Sequence, residues 1–200
     1  MLFQRPLEFL DAVETVAQAG AAALAPYWRA LDESQVTEKA RNDLVSTADR
    51  ASEDAILAEI EGRFPDHRVL SEEAGWSRRD TSGPTWVVDP LDGTANFVHG
   101  LAQFAVSVAV AVDDRVEFGV IIDPIKGDVF RAARGRGAWW NGEECRITGR
   151  EGLAGCLIAT GFPFRARHLL DPYLAIFRDV FLRCKAIRRP GAAALDLAYT

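Results

Sequence analysis

Through the first third of the chain, apolar residues return at spacings of three and four. From about residue 68 onward, short β-branched runs broken by turn residues take over. Leu10, Val13, Ala17, Ala21 and Leu24 form one stripe and predict an amphipathic helix over 6–30, with Pro6 suited to its first turn. After the polar stretch DESQVTEKARND, Ser46-Thr47-Ala48-Asp49 has the character of a capping box. It predicts a second helix with the stripe Ala48, Ser52, Ile56, Ile60, closing near Gly62 ahead of Pro65. Each helix is apolar on one face, so each covers something.

HRVLSEE and TWVVDP predict short strands, and FAVSVAVAV (104–112) a buried one. RVEFGVIIDP repeats that pattern after an Asp113-Asp114 turn, and GDVFRAAR and GAWWNGEECRI extend it. Asn141-Gly142 is a type I′ hairpin signal, so 104–148 reads as an antiparallel meander. After Gly149 the texture changes. CLIATGFPF reads as strand and loop, HLLDPYLAIFRDVFLR as a helix starting after Asp171-Pro172, and CKAIRRPGAAALDLAYT as strand, turn and a helix from near Gly191. The expected division is an α+β domain over 1–148 and the start of an α/β domain over 149–200. The last predicted helix runs into Thr200, so the expectation is a natural protein longer than this chain.

Composition narrows the class. With 200 residues, 48% hydrophobic and 26% charged, the chain can bury a core without disulfide or metal staples. A net charge of −6 disfavours a broad nucleic-acid-binding surface. The basic run from Arg183 to Arg189 reads as a solvated strand or loop edge. Cys145, Cys156 and Cys184 are scattered and read as small core residues, in keeping with a reducing compartment. The acidic N-terminus lacks the apolar stretch of a signal peptide, and 104–112 is too short to span a bilayer; a cytoplasmic protein is expected.

The candidate chemistry lies in VVDPLDGTANF, residues 87–97. Asp89 follows an apolar strand, Pro90 keeps it out of helix, and Asp92 comes one turn later with the Leu91 carbonyl between them. Two carboxylates and a carbonyl aimed at one point suit Mg²⁺. Gly93 and Thr94 then open a short helix whose free amides can take phosphate oxygens. If the strand Arg68-Val69-Leu70 neighbours Trp86-Val87-Val88, Glu72 or Glu73 comes beside Asp89. Asp49 is a third acidic candidate, with Lys39, Asn42 and Asp43 just before it. Each piece has a bland reading: Asp-Pro and Asp-Gly turns, a solvated acidic loop, a helix cap. Their combination is rarer than any part. His67, His99 and His168 show no metal spacing and read as surface or structural, and the five tryptophans as core or interface area.

WVVDPLDGTANFVHG (86–100) resembles the signature of the inositol monophosphatase family, within the fructose-bisphosphatase-like phosphatases. NDLVSTAD (42–49), SEEAG with Ser71 in place of a common glycine, FGVIIDPIKGDVFRAARGRGAWWNG, and RRPGAAALDLAY with Ala192 in place of a hydroxyl residue agree in order and spacing. The resemblance implies a layered α/β/α/β/α sandwich, a homodimer, and hydrolysis of phosphate monoesters with two or three Mg²⁺ ions, with Li⁺ as an inhibitor. It implies that Glu72, Asp89, Asp92 and the Leu91 carbonyl hold metal, that Glu72 and Thr94 activate the attacking water, and that Asp49 supports Thr94. Gly93 and Thr94 amides would bind phosphate, and Gly191, Ala192 and Ala193 would line the alcohol side. The expected substrate is an inositol monophosphate; related enzymes act on histidinol phosphate, adenosine bisphosphate, fructose bisphosphate or NADP. The family's further metal aspartate, in a W-D-x-A-A segment after the G-x-A-A-L-D-L helix, is not reached before Thr200; the expectation is that it follows in a longer protein, the alternative that the protein lacks this ligand, and Asp196 does not replace it. A different class therefore stands beside the enzyme: a catalytically impaired regulatory or binding protein.

Overall fold

A computed structural model describes residues 5–40, 43–77 and 83–200. Asn42 lies outside the described residues, as do the side chains of Lys39 and Asp43. Helix α1 (Pro6–Leu24) buries Leu10, Val13, Ala17, Ala21 and Leu24, the predicted stripe. It ends earlier than the sequence suggested because Pro26 has no N–H for the next helical bond, and Ala25–Tyr27 tighten into a 3₁₀ turn. Helix α2 (Thr47–Arg63) starts at the predicted capping box, with Ser46 as N-cap and Asp49 reaching back to it, and buries Ala48, Ser52, Ile56 and Ile60. The two helices cross closely: a Cβ placed on Gly20 would lie 2.6 Å from Ile56 Cδ1.

Strands β1 (Val36–Ala40) and β2 (Asp43–Ser46) form an antiparallel pair leading into α2. The main sheet contains β3 (Arg68–Ser71), β4 (Gly75–Ser77), β5 (Thr85–Asp92), β6 (Ala105–Val112), β7 (Arg115–Asp123), β8 (Asp128–Ala133), β9 (Gly137–Trp140) and β10 (Glu143–Glu144). Their order is β10-β9-β8-β7-β6-β5-β3-β4. Among the described residues of this sheet, only β3 and β5 run parallel, and every other neighbouring pair is antiparallel. The meander expected from 104 onward is therefore present. Its Asp113-Asp114 and Asn141-Gly142 turns place both central residues at positive φ, as type I′ hairpins require.

Strand alternation sorts the two faces of this sheet. Trp86, Val88, Val106, Val108, Val110, Phe118, Val120 and Ile122 share one buried cluster with α1 and α2. Ala105 and Phe130 belong to a second cluster, with Ala192 and Leu195 of the α5 (Ala193–Tyr199) region. A small parallel pair, β11 (Leu157–Ala159) and β12 (Ala186–Arg188), follows, joined through α4 (Leu170–Arg183). Thr160 and Tyr173 share a hydrogen bond that ties α4 to β11's exit. The chain thus has the expected mixed, layered α/β architecture.

Several local expectations are corrected. α4 begins at Leu170, ahead of Asp171-Pro172, because a first helical turn needs no N–H from Pro172. α5 begins at Ala193, since Gly191 sits at φ +101° and only then does the chain turn helical. The cysteines are not core: Cys145 is exposed and the other two half-buried. Among the described residues, no helix is long and apolar enough to cross a membrane.

Ile56 is fully buried against α1. Ile56→Ala is expected to destabilise the protein by about 2–5 kcal/mol in urea unfolding. Adding Gly20→Ala is not expected to recover that loss, because its methyl would still lie 2.9 Å from the buried Ser52 Oγ, which donates to the Pro90 carbonyl.

Candidate active site

The site grows from one irregular stretch of β5. Its first half pairs in parallel with β3, Leu70 opposite Val87 and Ser71 opposite Val88. On its other side the ladder with β6 reaches Asp89 opposite Ser107, then shifts and resumes at Asp92 opposite Ala105. Pro90 cannot donate to the ladder, so the chain bulges there. The sequence suggested that the strand ends at Asp89; instead the bulge holds the two aspartates on one strand. Pro90's carbonyl accepts from Ser52 Oγ at 2.8 Å, and Asp89 Oδ1 accepts from the Leu91 amide at 3.1 Å. Leu91's side chain is buried beneath the bulge.

Glu72 arrives from the neighbouring strand. Its amide donates to the Val88 carbonyl at 3.0 Å, continuing the β3 line one step and setting its side chain beside Asp89. Glu73, the open alternative, instead lines a separate hollow with Val45, Arg50, Glu53 and Asp54. Asp92 Oδ2 accepts from the Ala194 amide at 2.7 Å, which couples it to α5.

Gly93 turns the chain into α3 (Thr94–Val98) at φ +93°, a conformation that disfavours any side chain. A Cβ there would also lie 3.0 Å from the Gln103 carbonyl and 3.3 Å from Ala192 Cβ. The Thr94 hydroxyl lies 2.9 Å from Asp49 Oδ1 and 3.1 Å from the Leu91 carbonyl, and its single proton serves one of them at a time. Asp49 is buried at the start of α2, its other oxygen accepting from the Ser46 amide and hydroxyl at 2.8 and 2.7 Å. Gly191 packs against Asn96, whose amide nitrogen donates to the Gln103 and Pro190 carbonyls at 2.7 and 3.0 Å.

The residues singled out from sequence therefore fall into two touching groups. Glu72, Asp89 and Asp92 interact electrostatically, while Asp49, Thr94 and the Leu91 carbonyl are linked by hydrogen bonding. Gly93, Gly191, Ala192 and Ala193 border them, but Ala192 is wholly buried and presents no surface of its own to a ligand. Three participants carried no sequence signal: Glu53, Asn96 and the Ala194 amide. Glu53 is buried, yet a glutamate on a helix reads as solvated; backbone amides and side-chain amides have no motif of their own.

Electrostatics mark the first group. Burial, and then the neighbouring Glu72 and Asp92 charges, push the Asp89 carboxyl up to about 8. Burial raises Asp92 as well, against the pull of the Ala194 and Ala193 amides. Burial also raises Asp49, against its hydrogen bonds from Ser46 and Thr94. Among the described residues, no group of three or more His, Cys, Asp or Glu side chains is gathered closely enough to hold a metal ion by itself. An open set of oxygen donors crowded by like charge suits Mg²⁺, which keeps several waters and is commonly held by few carboxylates. A divalent cation placed among them removes the repulsion that raises Asp89.

Fold and site together define a class: layered α/β proteins with an acidic cluster at the carboxyl ends of two parallel strands. Within it, the chain belongs to the inositol monophosphatase family, which it matches over residues 6–200. It is 46% identical to the Nus factor SuhB of Pseudomonas aeruginosa, over 84% of this chain and 64% of that protein. The chain thus spans just under two thirds of that curated relative's length. The extragenic suppressor protein suhB from Bartonella henselae superposes with a TM-score of 0.91 at 38% identity, covering 96% of this chain and 74% of that one. Inositol monophosphatase from Anabaena (Nostoc) gives 0.84 at 33% identity, covering 98% and 71%.

The raised Asp89 has a consequence for stability. Folded, this carboxyl holds its proton more tightly than it does unfolded. In metal-free protein its contribution is complete below its ordinary value of 3.8 and is lost as pH rises through about 8. Melting temperatures of wild type and Asp89→Asn, measured in chelator, are expected to diverge in the variant's favour across that window. A flat difference would show that Asp89 ionises freely in the fold.

Proposed function

We propose that this protein is a Mg²⁺-dependent phosphomonoester hydrolase acting on a small phosphorylated polyol or sugar, with inositol 1-phosphate the first substrate to test. The observation that carries this reading is the convergence of Glu72 and Asp92 on Asp89 directly beside the Gly93-Thr94 turn and its Asp49 support. Membership of the inositol monophosphatase family supports it.

In this reading Glu72, Asp89, Asp92 and the Leu91 carbonyl would hold Mg²⁺. When bound, the metal supplies positive charge that polarises a phosphoryl oxygen and acidifies water. Glu72 and Thr94 orient the attacking water in line with the leaving alcohol, and Asp49 fixes the Thr94 hydroxyl by accepting its proton in a hydrogen bond. The Gly93 and Thr94 amides receive phosphate oxygens, donors already in place as charge develops. Gly191 and Ala193 border the alcohol, with Ala192 buried behind them. A homodimer, two or three metal ions and inhibition by Li⁺ belong to the same proposal, on the strength of the family resemblance. So does the division at 148, supported by the end of the main sheet at β10 and the separate β11–β12 pair.

A second reading rests on one observation: the Pseudomonas relative carries the name Nus factor. Here the chain serves a binding role and the acidic cluster does not turn over substrate.

Phosphate release from inositol 1-phosphate, fructose 1,6-bisphosphate, histidinol phosphate, adenosine 3′,5′-bisphosphate and NADP separates the readings. The proposal expects Mg²⁺-dependent release abolished by chelator. Asp89→Asn should lower turnover about 10³-fold, equivalent to about 4 kcal/mol. Wild-type turnover in that variant would remove the basis of the metal assignment, and a protein that binds Mg²⁺ yet cleaves none of the panel favours the binding role.

A further inference from the structure

One helix grips the site at three places. Asp49, Ser52 and Glu53 of α2 stand at spacings of three and four, so they lie on one side of the helix. Asp49 engages Thr94, and Ser52 engages the Pro90 carbonyl at the β5 bulge. Glu53 engages the turn that carries Glu72: its Oε1 accepts from the Ser71 hydroxyl and from the Ala74 amide at 2.9 Å. Donors from both ends of the Ser71–Ala74 segment thus meet a single carboxylate oxygen. Glu53 and Ser71 are 6% and 3% exposed, whereas Glu72 between the donors is 41% exposed in its side chain.

A buried carboxylate is a costly way to hold a turn. An ordinary β-turn between β3 and β4 would close on its own backbone. This turn differs in presenting an exposed acid beside two others, Asp89 and Asp92, with Arg165 Nη2 3.9 Å from its Oε1. A clamp on the inner side of the turn fixes the backbone from which Glu72 reaches them.

We infer that Glu53 is a positioning residue for Glu72, acting through the Ser71 hydroxyl and the Ala74 amide to hold Glu72 at the cation site. The inference rests on the phosphatase reading above, because it gives Glu72 a metal to meet. Glu53 itself touches neither substrate nor metal. Ser71, where the resembling family commonly has glycine, supplies the hydroxyl half of the clamp in this chain.

The test is a Mg²⁺ titration of the full chain without substrate, followed by calorimetry and by the Mg²⁺-induced rise in melting temperature. Glu53→Ala is expected to raise the Mg²⁺ midpoint on the order of tenfold, the scale seen when an outer hydrogen-bond partner of a metal ligand is removed. Ser71→Ala, a smaller perturbation that keeps the Ala74 bond, is expected to raise it by a smaller factor. Glu53→Gln keeps an acceptor oxygen for both donors and is expected to restore the wild-type midpoint. A wild-type protein with no Mg²⁺ response overturns the phosphatase reading and this inference with it. A responding wild type whose midpoint is unmoved in Glu53→Ala and Ser71→Ala, even if their melting temperatures fall, overturns this inference alone and leaves Glu53 a purely structural residue.

Discussion

Carboxylates held together against their own repulsion are the constraint on which the rest of this structure turns. The parallel pairing of β3 with β5 sets Ser71 opposite Val88, and the next residue of each strand is then an acid. The Glu72 amide is bonded to the Val88 carbonyl, which keeps the backbones of Glu72 and Asp89 adjacent. The bulge at Pro90 adds Asp92 from the same strand. Most of the surrounding fold can be understood as what fixes this unfavourable grouping in place.

Fixing it takes a rigid frame on both sides of the sheet. On one side α2 buries Ile56 and Ile60 in the core it shares with α1, Trp86 and Val88, and so anchors the polar residues of its first two turns. On the other side Leu195 and Ala192 pack on Ala105 and Phe130, which brings the Ala194 amide to Asp92. Tyr199 closes α5 onto the β8 end by donating to Asp128 at 2.5 Å. Apolar burial supplies the stability, and a few directed hydrogen bonds convert it into position.

The sequence was most legible where local chemistry and periodicity agree. The α2 capping box, the stripes of both helices and the Asn141-Gly142 hairpin are visible because each depends on neighbours within a few positions. The acidic residues of the candidate site were legible as a set because turn-forming and strand-forming residues flank them at unusual density. What stayed hidden depends on tertiary partners. The continuation of β5 to Asp92 needs Ala105 across the ladder, and the burial of Glu53 needs Ser71 and Ala74 to arrive from another strand. The cysteines misled for a related reason. Their small apolar side chains fit a core, but their segments in 145–184 present much of their surface to solvent.

The hydrogen bond from Ala194 to Asp92 joins groups 102 positions apart. Closing so wide a loop costs only slightly more entropy than closing one half as long, so equilibrium stability barely registers the distance. Timing does. At synthesis rates of about 5–20 residues per second, the ribosome adds the intervening stretch over roughly 5–20 s. For that interval a nascent chain carries the acidic strands without the helix that steadies the last of them. The acidic cluster is consequently assembled in stages: its floor is laid early, and the anchor on Asp92 arrives only once α5 has been made.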